Sequence, residues 1–250
     1  MRITSAGHAV FAVVLIAIGV AGIRGKDFLW GPPDQLGASA QHALVYAGSV
    51  LANVCGVGML IDRTAALAAK VFFLYLAAWT LVFGIFGIAL MPKEFGAWDG
   101  LAEGAVIVAG AWVLSSRLAS EAIDRRVGVA GAARGPTIAR VIFALSLVPF
   151  GIAHFLYLER TTEMVPSVLP AHLAFAVATG VAFFVAALAI LTGICARLAA
   201  ALVTIQIGGF VAFVWIPMIA TTTLNAFEWT EVGVSIALFA ASWLVTESYA

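Results

Sequence analysis

The side chains that could do chemistry in this sequence gather around one histidine in the second half of the chain. Such a histidine can transfer a proton or hydrogen-bond a ligand, and nearby carboxylates can orient its ring or share its proton. The chain order places two histidines, an acid–base pair, a tryptophan and a further acid near the same ends of apolar runs, so we expect them to line one pocket. These candidate ligand-binding residues are His154, Glu159, Arg160, His172, Trp229 and Glu231.

Three roles are open for His154. It can be a core histidine that hydrogen-bonds a backbone carbonyl or Glu159, a histidine that handles a proton or a ligand, or one ligand of a metal site with His172 and a carboxylate. No close ligand spacing supports the metal site, so no metal is predicted. Glu159 and Arg160 are also explained as an interfacial ion pair, and His172 as a polar start to its helix.

Motifs of well-known enzyme classes are missing from the sequence. It has no phosphate-binding loop, no H-E-x-x-H, no G-x-S-x-G and no dinucleotide fingerprint. No residue is therefore assigned as catalytic, and whether the protein is an enzyme stays open. Two polar residues inside apolar runs, Asn53 and Gln206, are expected to donate hydrogen bonds between helices.

The composition indicates whether the helices or strands that position these residues lie in water or in a membrane. Of 250 residues, 63% are hydrophobic and 10% are charged, with no net formal charge, whereas an average soluble domain has about 25% charged residues. A soluble fold of this size cannot bury so much apolar surface. Soluble enzymes and disordered chains are therefore excluded, and the absence of a basic surplus excludes a nucleic-acid partner.

Eight segments have the length and hydropathy of transmembrane helices, which need about 20 mainly apolar residues. An all-α membrane protein is therefore predicted, since open strands lack hydrogen-bond partners in lipid. The predicted spans are residues 5–23, 43–61, 71–91, 99–116, 139–158, 171–194, 198–220 and 230–246.

An internal repeat divides the eight spans into two sets of four. Residues 11–23 align with 143–155 at an offset of 132, and Trp98 and Trp112 align with Trp229 and Trp243 at an offset of 131. An even number of spans per copy gives both copies the same orientation, so we expect two parallel-topology four-helix bundle repeats. The predicted units are repeat 1 (1–116), a basic cytoplasmic linker (117–138) and repeat 2 (139–250).

The basic residues predict that both termini are cytoplasmic, because Lys and Arg are retained on that side. With this orientation nine basic residues face the cytoplasm and four face outward. The nine are Arg2, Arg63, Lys70, Arg117, Arg125, Arg126, Arg134, Arg140 and Arg197; the four are Arg24, Lys26, Lys93 and Arg160.

The second repeat resembles the DoxX-like family of small four-helix membrane proteins over residues 139–220. The resemblance is carried by G-I-A-H-F at 151–155, M-V-P-x-x-L-P at 164–170 and A-T-G-V-A at 178–182. It implies two fused four-helix units in the bacterial cytoplasmic (inner) membrane. It also implies a link to quinone-dependent oxidoreductases or to oxidative-stress and thiol systems.

These observations lead to three expected functions. The first is an accessory or quinone- or lipid-binding component of a membrane redox or stress-response system, with His154 nearest the polar head of the ligand. A small-molecule transporter or permease and a structural assembly subunit of a membrane complex are the alternatives. No covalently bound cofactor is expected. The expected partners are membrane lipid and other membrane redox subunits.

Overall fold

The chain is helical throughout the parts that the computed structural model describes, residues 3–25, 37–123 and 130–250. Eight helices are long and apolar enough to cross a membrane, which confirms the predicted all-α class and its eight spans. The helices are α1 (Ala6–Gly25), α2 (Ala38–Met59), α3 (Ala65–Leu90), α4 (Phe95–Ile123), α5 (Ala130–Leu156), the short α6 (Leu158–Glu163), α7 (His172–Thr192), α8 (Ala196–Thr221) and α9 (Ala226–Glu247).

The helices extend into the stretch predicted as a linker. The helix α4 continues to Ile123 and α5 begins at Ala130, so most of 117–138 is helical. Residues such as Leu118, Ala119 and Glu121 favour helix, and a segment that has left the hydrocarbon can continue as helix in water. The linker residues Arg125 and Arg126 lie outside the described residues, as do Arg2 and Lys26.

Because the spans alternate in direction, the bundle has two distinct ends. We call one the basic end; it carries Arg63, Lys70, Arg117, Arg140 and Arg197. We call the other the acidic end; it carries Glu94, Asp99, Glu159, Glu163 and Glu228. Each end also carries charges of the other sign, such as Glu247 at the basic end and Arg160 at the acidic end. Basic side chains are in excess at one end and acidic ones at the other, in the direction that the orientation argument requires, and the side of the membrane on which each end lies stays a prediction.

Two spans contain a π-helical turn at matching places. The turns are Thr80–Gly84 in α3 and Val211–Trp215 in α8, which lie 131 residues apart. In both spans the turn follows 15 α-helical residues and precedes 6 more. The two tryptophan pairs of the sequence repeat are related by the same offset of 131, so the matching π turns support the predicted duplication. A π turn also widens the helix locally and often occurs at functional sites.

The helices α4 and α9 form the centre of the bundle. They pack on each other, α3 and α5 pack on α4, and α1 and α8 pack on α9. Gly110 of α4 meets Ala241 of α9, where an added Cβ on the glycine would lie 2.6 Å from the Ala241 Cα and 2.9 Å from its carbonyl oxygen. Small residues let membrane helices approach closely enough for backbone contact.

A carboxylate at the basic end joins three helices. One oxygen of Glu247 accepts a hydrogen bond from the Gly7 N–H at 2.9 Å, and the other pairs with the Arg117 guanidinium at 3.0 Å. Because Gly7, Arg117 and Glu247 belong to α1, α4 and α9, this cluster holds the central pair against the first helix. Both charged side chains are largely shielded from solvent, so the pair is screened less than a surface ion pair.

We expect Gly110→Ala to destabilise the protein by about 1–3 kcal/mol, because the new methyl group meets the Ala241 backbone, which cannot move without separating the two helices. The measurement is the thermal unfolding midpoint in detergent. Gly100→Ala on the same helix is the matched control, since a Cβ there meets nothing within 4 Å. Equal midpoints for the two variants would contradict the close crossing.

Candidate binding cavity at the acidic end

A cavity of about 420 Å³ opens inside the second half of the chain, toward the acidic end. Its walls come from α5, α7, α8 and α9, and residues 161–169, which join α5 to α7, contribute its cover. Most of the lining is aromatic or aliphatic. Few polar side chains interrupt it, which is typical of sites that bind small organic molecules. These polar side chains are His154, Thr161, Thr179, Gln206, Glu231 and Ser235.

The ring of His154 is fixed by its surroundings. Its Nδ1 lies 2.8 Å from the carbonyl oxygen of Phe150, and because a carbonyl only accepts, Nδ1 carries the hydrogen. In the neutral ring Nε2 is then an acceptor, and it makes no hydrogen bond with any residue that the structure describes. Phe183 and Phe210 pack on the ring at centroid distances of 5.3 and 5.9 Å. Of the two partners proposed from the sequence, the backbone carbonyl is therefore the one that bonds His154.

Gln206 lies at the inner limit of the cavity. It is the eleventh residue of a 26-residue span, so it lies near the middle of α8. Its Nε2 donates to the carbonyl oxygen of Thr179 on α7 at 3.2 Å, which confirms the expected hydrogen bond between helices. The amide oxygen stays available to a ligand. The same expectation for Asn53 is wrong, since its amide donates to Ser49 on its own helix, one turn earlier.

The π turn of α8 shapes one wall of the cavity. Trp215 is the last residue of this turn, is 6% exposed, and donates its indole N–H to the Ser235 hydroxyl of α9 at 2.9 Å. Glu231 lies one helical turn before Ser235 and also lines the cavity. The start of α9 is fixed by a capping box, in which Asn225 and Glu228 satisfy each other's backbone N–H groups.

Two carboxyl groups from different halves of the chain are electrostatic neighbours here. Asp99 of α4 interacts with Glu231 of α9, and the two groups repel each other when both are ionised. Oδ1 of Asp99 is buried and has no hydrogen-bond partner among the described residues. One wall of the cavity therefore includes a carboxyl group, that of Glu231, which neighbours a second carboxyl group on the other central helix.

The cavity brings together two of the six residues selected from the sequence, His154 and Glu231. The other four, Glu159, Arg160, His172 and Trp229, do not line it. Glu159 and Arg160 lie exposed on α6, and Arg160 pairs with Glu163 at 3.6 Å. His172 begins α7, and Trp229 is 52% exposed in the first turn of α9. These four residues surround the acidic end of the second half.

The sequence reasoning missed several lining residues, namely Thr179, Phe210, Trp215 and Ser235. Thr179 and Ser235 are single small polar residues in apolar runs, a weak signal that many buried helices share. Gln206 carried a clearer signal as an amide in the middle of a span, but only its hydrogen bond between helices was predicted, and not its place in the cavity lining. The position of Trp215 depends on a π turn, which changes the register of the helix after it.

Two aromatic residues of the cavity lining are exposed. Phe175 and Phe213 line the cavity and are 41% and 67% exposed. A second, apolar crevice of about 240 Å³ lies between α7 and α8 and shares Gln206 with the cavity. The cavity and the crevice therefore adjoin at Gln206.

Comparisons with protein-family models, curated proteins and solved structures find no match. Function must therefore be argued from the cavity itself. Within residues 3–25, 37–123 and 130–250, no three His, Cys, Asp or Glu side chains are grouped so that they could hold a metal ion.

We expect Ser235→Ala to destabilise the protein by about 1–3 kcal/mol, because it leaves the buried Trp215 indole N–H without an acceptor. The thermal unfolding midpoint in detergent measures the effect. Ser242→Ala is the matched control on the same helix, since the buried Ser242 hydroxyl donates only to Phe239 of its own helix. A midpoint drop no larger for Ser235→Ala than for Ser242→Ala would show that the Trp215–Ser235 contact does not stabilise the cavity wall.

Proposed function

We propose that this multi-pass membrane protein binds an amphiphilic ligand, a quinone or a lipid of similar shape, in the cavity beside His154. On this proposal it is an accessory or ligand-binding component of a membrane redox or stress-response system. The observation that carries the proposal is a mainly apolar cavity with exposed aromatic lining residues and a few polar side chains, which include His154 and Gln206. Such a site suits a molecule with a small polar head and a long apolar tail.

The polar groups match the two redox forms of a quinone. A quinone presents carbonyl oxygens and needs donors, whereas a hydroquinone presents hydroxyl groups and also needs acceptors. The free Nε2 of neutral His154 accepts from a hydroxyl, and the Gln206 amide can both donate and accept. Phe210, which already packs on the His154 ring, supplies an aromatic face for a planar head group.

The crevice between α7 and α8 suits the tail. Its lining consists mainly of alanine, valine and leucine, with Gln206 at the junction with the cavity. Small aliphatic side chains leave a smooth apolar surface without hydrogen-bonding groups, which is what an isoprenoid or acyl chain requires. Head and tail therefore have separate, adjoining places.

The relation to DoxX-like membrane proteins belongs to the same proposal. The three stretches that carry the resemblance all contribute to the cavity lining. Residues 151–155 contribute His154, residues 178–182 contribute Thr179, and residues 164–170 contribute the cover residues Met164, Val165, Pro166 and Leu169. The shared pattern therefore coincides with the site. Because the lining is mainly apolar, ligand binding ranks above transport of a polar solute, which would need a hydrated path.

The test is to purify the full chain in mild detergent and identify retained ligands by solvent extraction and mass spectrometry. We expect a stoichiometric quinone or other amphiphile. His154→Ala should weaken binding about three- to tenfold, the effect of losing one hydrogen bond. Binding is measured by titration of the stripped protein with a short-chain quinone.

His172→Ala is the matched control, because this histidine lies at the same end of the bundle but does not line the cavity. Gly180→Ala provides a second test, since its Cβ would lie 2.9 Å from the His154 Cβ and would displace the ring. The proposal fails if no amphiphile is retained, or if His154→Ala and His172→Ala bind the quinone equally well.

A further inference from the structure

A second cavity, of about 870 Å³, opens at the opposite, basic end of the bundle. It lies near the ends of α5, α7, α8 and α9 at this side of the bundle. It shares Cys195 and Leu198 with the apolar crevice, but none of its lining residues lines the cavity beside His154. Two arginines, Arg140 and Arg197, line it, and no Asp or Glu does. The rest of the wall is mainly apolar and includes Leu191 and Leu198. We call this space the basic groove.

The two arginines differ in how they are held. Arg140 donates hydrogen bonds to the carbonyl and hydroxyl oxygens of Ser248, and its guanidinium lies 3.9 Å from the centroid of the Tyr249 ring. This fixes one positive charge in the wall. Arg197 is exposed and makes no hydrogen bond or ion pair with the residues that the structure describes. Its guanidinium is therefore available to a ligand.

Backbone and phenol groups add donors to the same space. Ala196 is the first residue of α8, so the first N–H groups of this helix have no acceptor within it. The turn before it contains two residues with positive φ, Gly193 at 77° and Cys195 at 53°. A Cβ added at Gly193 would meet nothing within 4 Å, so the space beside this turn is open. Burial raises the pKa of the Tyr249 phenol, opposed by the nearby Arg140. The phenol therefore stays protonated at neutral pH and can donate.

The corresponding corner in the first half has different side chains. At an offset of 131, Thr64 corresponds to Cys195 and Ala66 to Arg197. The Thr64 hydroxyl donates to the Gly58 and Ile61 carbonyls at 2.7 and 3.3 Å, and His8 approaches the Met59 carbonyl at 2.9 Å. The first half thus has an alanine, Ala66, at the position where Arg197 lines the groove.

We propose that the basic groove binds the phosphate head of an anionic membrane phospholipid. Arginine donates two hydrogen bonds to phosphate in a planar arrangement, and anionic lipid heads lie at the depth where these spans end. The exposed Val141, Leu191 and Leu198 side chains line the same groove and give the acyl chains an apolar surface. The lipid therefore fits by charge at its head and by hydrophobic contact along its chains.

The experiment is native mass spectrometry of the full chain with phosphatidylglycerol or phosphatidylcholine added. We expect phosphatidylglycerol to bind about tenfold more tightly, and we expect Arg197→Gln to remove this preference. Arg63→Gln is the matched control, because Arg63 is exposed at the same end, in the α2–α3 connection. This control should keep the preference, and both variants should retain the ligand of the acidic-end cavity.

A second variant tests the groove without changing charge. Ala201→Phe places a bulky ring in the lining and should also lower phosphatidylglycerol binding in protein that remains monodisperse. The proposal is overturned if the two lipids bind alike, if Arg63→Gln and Arg197→Gln weaken binding equally, or if Ala201→Phe binds normally. Competition by glycerol 3-phosphate as strong as that by the lipid would assign the groove to a soluble phosphate instead.

Discussion

The contact between α4 and α9 is the interaction on which the rest of the bundle depends. In lipid there is no water to drive apolar faces together, so helix association relies on close van der Waals packing. Gly110 and Ala241 provide that packing by letting the two backbones touch. The most buried span, 67% inside the protein, is the one in α4, and α1, α3, α5 and α8 all pack on this central pair.

Each half of the chain contains four of the eight candidate spans, and the two halves differ at the level of the cavity. In the second half, Gln206 and Phe210 border the cavity. At an offset of 131, the first half has Tyr75 and Trp79. The Tyr75 ring packs on Trp79 at a centroid distance of 5.7 Å, and Trp79 packs on Phe83 at 4.4 Å. Packed aromatic rings therefore stand in the first half at the positions that correspond to these two cavity-lining residues. At an offset of 132, Gly22 stands in place of His154.

The sequence predicts the spans well because hydropathy averaged over a membrane thickness does not depend on side-chain detail. It also predicts that His154 and Glu231 lie at one depth, since depth follows from position along a span. Rotation about the helix axis is harder to predict, because a helix that is apolar on all sides has no hydrophobic face to reveal it. This limit explains three errors. Asn53 was expected to bond another helix, Thr179 and Ser235 were not predicted in the cavity lining, and Trp229 was expected there.

The order of the helices along the chain has a consequence for biosynthesis. The helix α1 packs on α9, to which it is tied through Gly7 and Glu247. At about 5–20 residues per second, a ribosome needs roughly 10–40 s to make the 200 residues between these helices. During that time the part of α1 that meets α9 lacks its partner in the bilayer. The helix α2, on which α1 also packs, follows directly in the chain, so α1 can pair with α2 first and with α9 only after the last span has been made.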